Sequence, residues 1–221
     1  MKTERLIRIL SALAALCTAS MLPAQRFLQL GAPFGEHMVL QQGAPIPIWG
    51  SGCPGGDTVR AWLNGQTRSG RCDWKGDWMV EFAPMTAGGP YQFLMEVGGY
   101  GPLVPNPAAT SRGIELNDVL IGEVVLASVN SGLTLSKNRD GAKEIAGAKF
   151  PWIRMLTGPG RWVAVSPSAV NSFSADSYFL ARALYGSLKV PVGVVDRLDG
   201  TLCSPSQMRV VPQYCGAQLG P

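Results

Sequence analysis

The hydrophobic and polar positions of this chain follow two different patterns, one on each side of about residue 113. Before that point, short apolar stretches alternate with polar or turn residues, which is typical of half-buried antiparallel strands. Asn64-Gly65 lies between two such stretches and is the strongest short signal for a hairpin. The spacing predicts a small β-sandwich. Its strands are expected at 38–40, 46–49, 58–63, 66–69, 78–82 and 91–97.

After residue 113 the apolar stretches alternate with helical patterns. The run at 119–127 is mostly Val, Leu and Ile, which favours a strand covered on both faces. The residues at 175–188 show helical spacing of leucines, and Ser174 can cap this helix. Further elements are expected at 142–148 (helix), 152–156 (strand) and 192–196 (strand). This order predicts a partial α/β domain with a parallel sheet.

Together the two patterns predict an α+β chain of two parts. The first part is an antiparallel β-sandwich domain at 25–113, which ends in a Pro/Gly-rich linker at 98–113. The second is an α/β domain at 114–221, in which residues 114–116 can pair back onto the sandwich. The tail after about residue 201 has no sustained periodicity, so we expect a truncated α/β domain.

The amino terminus has the order of a secretory signal peptide. Basic residues precede an apolar run from Ile9 to Leu22, and Pro23 and Ala24 follow. We predict a signal peptide at 1–24 and a secreted or periplasmic protein. No later stretch reaches about 18 uninterrupted apolar residues, so no integral membrane segment is expected after signal removal.

The net charge and the motifs of the sequence bear on whether nucleic acid, a metal or a cofactor is expected. The 221-residue chain has a formal charge of +4, and losing the three basic and one acidic residues of 1–24 leaves +2. Neither a basic stripe nor a run of like charges remains, so nucleic acid is not expected as a partner. His37 is the only histidine, and Cys-x-x-Cys spacing is absent, so we expect no metal site. Neither Gly-x-Gly-x-x-Gly nor a Walker sequence occurs, and no cofactor is expected.

Four cysteines remain after removal of the signal, an even number that suits disulfides in an oxidising compartment. Cys53 and Cys72 flank the same predicted hairpin and form the favoured pair. Cys203 with Cys215 is a second candidate pair, with less support from the sequence.

Small polar residues follow the apolar run at 119–127 abruptly. They include Ser128, Asn130, Ser131 and Gly132. Ligands of open α/β sheets bind just past the carboxyl ends of strands. A serine on this turn is therefore placed where a nucleophile is useful.

The stretch from Asn117 to Ser128 resembles a strand of the sialate O-acetylesterase family, in the SGNH hydrolase superfamily. That strand reads roughly Asn-Val-Leu-(Ile/Val)-Gly-Glu-Val-Trp-Leu-Cys-Ser, and Gly-Gln-Ser-Asn-Met follows it. Other motifs occur in the family's order in both parts of the chain. They are His37-Met38-Val39-Leu40-Gln41, Pro45 to Gly50, Gly76-Asp77-Trp78, Phe173-Ser174-Ala175 and Val190-Pro191-Val192-Gly193.

The resemblance implies an acetyl-ester hydrolase with Ser131 as the candidate nucleophile and an acetylated sugar or glycan as substrate. The same resemblance makes Gly200 the candidate oxyanion residue, although Arg197, Leu198 and Asp199 depart from the family's loop. Val129 stands where the family has Gly before the nucleophile, which predicts a reshaped turn.

The family's catalytic Asp and His come from further along a longer chain. We interpret His37 as a structural residue of the β domain. Since the catalytic set is incomplete, the chain is expected to be inactive or very weakly active by itself.

An alternative hypothesis is a non-catalytic module that binds glycan or protein through the β-sandwich, with a degenerate hydrolase remnant attached. Tryptophans 49, 62, 74 and 78 can stack on sugar rings, but aromatic residues on alternating strands are more often core. Trp74 lies in the polar turn Cys72 to Gly76 and is the candidate substrate-binding residue. Arg154, Arg161 and Arg182 are expected to be solvated surface residues.

Overall fold

The computed structural model of the protein describes residues 27–98, 113–127 and 133–196. The predicted signal peptide, most of the linker, Ser131, Gly200, Cys203 and Cys215 lie outside these ranges. Within them the fold is α+β: a mixed eight-stranded sheet, a separate three-stranded antiparallel sheet and two α-helices. The α+β class predicted from the sequence is confirmed at this level.

The strands and helices of the described residues follow the predicted order. The strands are β1 (Gln29–Leu30), β2 (Val39–Gln41), β3 (Ile46–Ser51), β4 (Thr58–Leu63), β5 (Gln66–Arg71), β6 (Trp78–Phe82), β7 (Gly88–Val97), β8 (Gly113–Ala127), β9 (Phe150–Leu156), β10 (Trp162–Val165) and β11 (Val192–Asp196). The helices are α1 (Gly141–Gly147) and α2 (Ala175–Leu188). The hydrophobic pattern did not reveal β1 and β10.

Two sheets of the first part of the chain face a common core. The small sheet has the order β1-β3-β6, and the large sheet ends with β7-β4-β5. Along β6, Trp78, Val80 and Phe82 are buried while the residues between them are exposed, as expected for an antiparallel strand with one covered face. Asn64 and Gly65 both have positive φ, which the tight β4–β5 hairpin requires.

Strand β8 joins the two parts of the chain. Its first half pairs antiparallel with β7, where Leu116 lies opposite Phe93. Its middle pairs parallel with β2, and residues 123–127 pair parallel with β11. The strand therefore begins earlier than the apolar run predicted, and the proposed domain boundary near residue 113 coincides with its first residue.

The prediction that residues 119–127 are covered on both faces is wrong for the end of β8. Residues 119–122 are buried, but Leu126 is 38% exposed. Pairing with β7 reaches Ile121 and pairing with β2 reaches Gly122. Beyond these positions, β11 is the only lateral neighbour of β8 among the described residues.

Gly122 lies where the pairing of β8 changes from β7 and β2 to β11. A Cβ at this position would lie 2.0 Å from the carbonyl oxygen of Pro191. That same oxygen accepts a 2.8 Å hydrogen bond from the N–H of Glu123. The residue before β11 is thereby held against β8, and a side chain at 122 would separate them.

Each face of the large sheet covers a different hydrophobic core. Val195 and Leu156 belong to the core shared with the small sheet. Val194 and Met155 face the opposite way and belong to a second core that α2 covers through Tyr178 and other residues. The alternation along β9 and β11 thus explains why residues 153–156 and 192–195 are buried on both faces of the sheet.

The carboxylate of Asp118 joins three segments that are distant in sequence. Oδ1 and Oδ2 lie 3.1 and 2.9 Å from the two terminal nitrogens of Arg154, on β9. Oδ2 also lies 2.7 Å from Nδ1 of His37, which has a positive φ of 65°. Arg154 is buried, contrary to the expectation of a solvated arginine, because this carboxylate and the carbonyl of Pro151 satisfy it.

Further hydrogen bonds fasten the loop before β2 to the same region. The carboxylate of Glu36 accepts hydrogen bonds from the N–H of Asn117. The indole of Trp162 donates a 2.8 Å hydrogen bond to the carbonyl of Pro33. The loop at 33–37 therefore acts as a clamp between β8 and the β9–β10 hairpin.

The environment of Asp118 lowers its pKa. Partial burial raises the pKa of this carboxyl, but hydrogen bonds from Arg154 and His37 and the charge of Arg154 outweigh burial, so the pKa lies below its usual value. A carboxylate with a lowered pKa stabilises the fold at pH values above its unfolded pKa of about 3.9. This stabilisation is lost as the pH falls through the folded pKa.

Replacing Asp118 should destabilise the protein in a pH-dependent way. We expect Asp118→Asn to lower the free energy of unfolding by about 2 kcal/mol at neutral pH, because buried Arg154 loses its counter-charge. The difference from the wild type should shrink as the pH falls below about 4. Urea denaturation of both proteins across this range measures it.

Glu81→Gln on β6 is the matched control, since it removes an exposed carboxylate. It should change the free energy of unfolding by less than about 0.5 kcal/mol. An equal loss for Asp118→Asn at neutral and acidic pH would show that the charge of Asp118 does not stabilise the fold.

Candidate active site

The carboxyl ends of three parallel strands meet at one edge of the large sheet. Val195 of β11 lies between Leu126 of β8 and Leu156 of β9, and Asp196 lies opposite Ala127. The chain therefore leaves β8, β9 and β11 at the same edge. This is the position at which open α/β sheets bind ligands.

Both residues that the resemblance singled out come soon after two of these strand ends in the sequence. Ser131 comes four residues after Ala127, and Gly200 comes four residues after Asp196. Both lie outside the described residues, so their roles stay predictions. The described strand ends show that the segments carrying them start from neighbouring strands.

The amino terminus of α2 lies against the segment that follows Ser131. The carbonyl of Leu133 accepts a 2.9 Å hydrogen bond from the N–H of Ala175. The N–H of Leu135 donates to the carbonyl of Phe173 at 2.9 Å, and Thr134 forms a bridge with Ser174. Residues 133–135 are thus fixed to the amino terminus of α2, whose dipole favours negative charge nearby.

The first turn of α2 also carries a buried hydroxyl. Ser174 caps the helix by accepting a hydrogen bond from the N–H of Ser177. The side chain of Ser177 is fully buried, and its oxygen has no hydrogen-bond partner within the described part of the chain. Sequence reasoning identified Ser174 as a cap but not this contact region, because the pairing with residues 133–135 depends on tertiary structure.

The only histidine of the sequence is not at this edge. His37 binds Asp118, which lies nine residues before Ala127 on β8. At roughly 3.3 Å per residue this is about 30 Å along the strand. This geometry agrees with the interpretation of His37 as a structural residue, because its imidazole joins the loop at 33–37 to the carboxylate of Asp118.

The described residues provide no metal centre and no membrane span. Among them, no group of three or more His, Cys, Asp or Glu side chains is arranged to hold a metal ion. None of their helices combines the length and apolar character needed to cross a bilayer.

Trp74 and the cysteine pair lie in the β-sheet part of the chain. A disulfide joins Cys53 to Cys72. Trp49 and Trp78 are buried, whereas Trp74 is 82% exposed. The structure thus separates Trp74 from Trp49 and Trp78, which lie in the core.

Comparison with known proteins indicates a relation to carbohydrate esterases. No family model matches the sequence, and no curated protein matches it. A solved structure of a carbohydrate acetylesterase from Xanthomonas citri matches with a TM-score of 0.66 and 26% sequence identity. The match covers 76% of this chain and 39% of that enzyme, so the chain spans about two fifths of the enzyme's length. The similarity supports the general class of carbohydrate esterases.

The cap of α2 offers a test of how this edge is stabilised. We expect Ser174→Ala to lower the free energy of unfolding by about 0.5–1 kcal/mol, because one helix N–H group loses its side-chain acceptor. Ser187→Ala, at an exposed position near the other end of α2, is the control and should have little effect. Thermal and urea denaturation measure both variants; equal stability of Ser174→Ala and wild type would contradict the capping role.

Proposed function

We propose that this chain carries the nucleophile-bearing part of a carbohydrate acetyl-ester hydrolase of the sialate O-acetylesterase type. The main support is the structural similarity to a carbohydrate acetylesterase over 76% of the chain. The motif around β8 adds to it, since Ser131 follows the end of this strand by four residues. The finer fold assignment, a β-sandwich followed by a partial SGNH-like parallel sheet, belongs to the same proposal.

In the proposed reaction, Oγ of Ser131 attacks the carbonyl carbon of the acetyl ester. The C–O bond to the sugar then breaks, and the departing sugar oxygen takes up the proton that Ser131 gave up. A water molecule later attacks the acetyl-serine ester, which releases acetate and restores the serine hydroxyl. Main-chain N–H groups of the turn and of Gly200 are the proposed donors to the oxyanion. The amino terminus of α2, fixed to residues 133–135, adds a favourable field for negative charge.

Proton transfer limits this reaction. A serine hydroxyl needs a base to take its proton, and the base needs a partner that orients it. His37 carries the only imidazole of these 221 residues, and this imidazole contacts Asp118. We therefore expect the chain by itself to hydrolyse acetyl esters very slowly.

We also propose a secreted or periplasmic location and an acetylated sugar or glycan as the partner. The disulfide between Cys53 and Cys72 supports the location, because such bonds persist in oxidising compartments. The predicted signal peptide at 1–24 supports it as well.

Acetate release tests the proposed nucleophile. The purified chain is incubated with O-acetylated sialic acid and with an aryl acetate, beside Ser131→Ala and Ser128→Ala. We expect slow release by the wild type and by Ser128→Ala, and loss of that release in Ser131→Ala, because only Ser131 supplies the attacking hydroxyl.

Two results would contradict this proposal. Release that is unchanged in Ser131→Ala would exclude Ser131 as nucleophile. Rapid turnover by the pure wild-type chain would show that these residues contain a complete proton-transfer system.

A further inference from the structure

The first turn of α2 contains a hydroxyl whose burial the described contacts do not explain. The side chain of Ser177 is fully buried, and its oxygen makes no hydrogen bond within the described residues. Most buried polar groups of folded proteins are paired, because an unpaired one costs free energy. Alanine would fill nearly the same space without that cost. Packing alone therefore does not account for a serine at this position.

The position of Ser177 on α2 directs its side chain toward the contacts at the amino terminus of the helix. Residues three apart share a helix face, so Ser177 lies one turn beyond Ser174 on the same face. Ser174 bridges to Thr134, and the N–H of Ala175 donates to the carbonyl of Leu133. Since the Cα–Cβ bond of a helical residue tilts toward the amino terminus, the side chain of Ser177 is directed back toward these contacts.

The described chain on both sides of Ser131 meets this part of α2. Leu133, bonded to the first turn of α2, comes two residues after Ser131 in the sequence. Ala127, the last residue of β8, comes four residues before it and belongs to the same hydrophobic core as Ala175 and Tyr178. The first turn of α2 is therefore the described element that connects with the chain before and after the expected nucleophile.

We propose that Ser177 is a positioning residue for the hydrolytic edge, and that its hydroxyl orients the main chain between Ser131 and Leu133 during the reaction. The inference rests on the proposed function, in which Ser131 is the nucleophile. A hydroxyl can donate one hydrogen bond and accept two, and buried main-chain N–H and C=O groups need such partners. Ser177 acts through the chain that carries Ser131 and does not touch the ester.

The unpaired state of the hydroxyl favours a role in the reaction over a role in folding. Because Ser177 has no partner within the described residues before an ester binds, a hydrogen bond formed in the reacting state lowers the barrier. A small displacement of a reacting group is enough to slow a reaction strongly. The hydroxyl of Ser174, by contrast, is already paired as the helix cap and stabilises the fold. Replacing these two serines should therefore have different effects on stability.

Covalent labelling of Ser131 by a fluorophosphonate tests this role. The serine oxygen bonds to phosphorus and fluoride leaves, so the rate of labelling, followed by mass spectrometry of the Ser131 peptide, reports how well this hydroxyl is positioned. We expect Ser177→Ala to slow labelling about threefold to tenfold, the effect of one lost hydrogen bond. Its midpoint of urea denaturation should equal or exceed that of the wild type, because the variant removes an unpaired buried group.

Two further variants separate positioning from packing. Ser177→Cys keeps a weak donor in a side chain of similar shape and should recover part of the labelling rate. Ser187→Ala, at an exposed position of the same helix, is the matched control and should label at the wild-type rate.

A wild-type labelling rate in Ser177→Ala would overturn the inference. Slower labelling together with a lower urea midpoint would also overturn it, because Ser177 would then support the fold in the way that Ser174 does. Absence of label at Ser131 in the wild type would contradict the proposed function itself and remove the basis of the inference.

Discussion

The structure depends on the hydrogen-bond ladder of one long strand. The first half of β8 completes an antiparallel sheet with β7, and its second half begins a parallel sheet with β11. Gly122, at the change of partner, lets Pro191 approach the backbone closely. Asp118 reinforces the same strand by pairing with buried Arg154 and with His37. Each contact joins segments distant in sequence, so neither part of the large sheet is complete without the other.

This arrangement determines where chemistry can occur. The strand that anchors the β-sheet part also carries the chain to the carboxyl edge where β8, β9 and β11 end. The amino terminus of α2 lies beside that edge and is tied to Leu133. The imidazole of His37 contacts Asp118 in the first half of β8, nine residues before the carboxyl end of that strand. The described fold is thus similar to that of a carbohydrate acetylesterase, and its imidazole lies away from the carboxyl edge of the sheet.

Local patterns predicted most elements but few long-range contacts. The helix at 175–188 and the strand at 192–196 have the predicted bounds, because capping by Ser174 and a short apolar run are local signals. The length of β8 was underestimated, since Glu115 and Asn117 interrupt the apolar pattern although the backbone still pairs with β7. The burial of Arg154 could not be inferred, because it requires a carboxylate 36 residues away in sequence. At the candidate site, sequence indicated the strand and its serine but not the attachment of α2.

Native-state hydrogen exchange tests most directly the claim that β8 makes the two parts one cooperative unit. Amides of β11, at Val194 and Val195, and amides of β4, at Val59 and Ala61, should exchange with closely similar free energies of opening at neutral pH. Opening of β9 and β11 at a free energy several kcal/mol below that of β4 would contradict the claim. The parallel strands would then be a separate unit that β8 carries but does not stabilise.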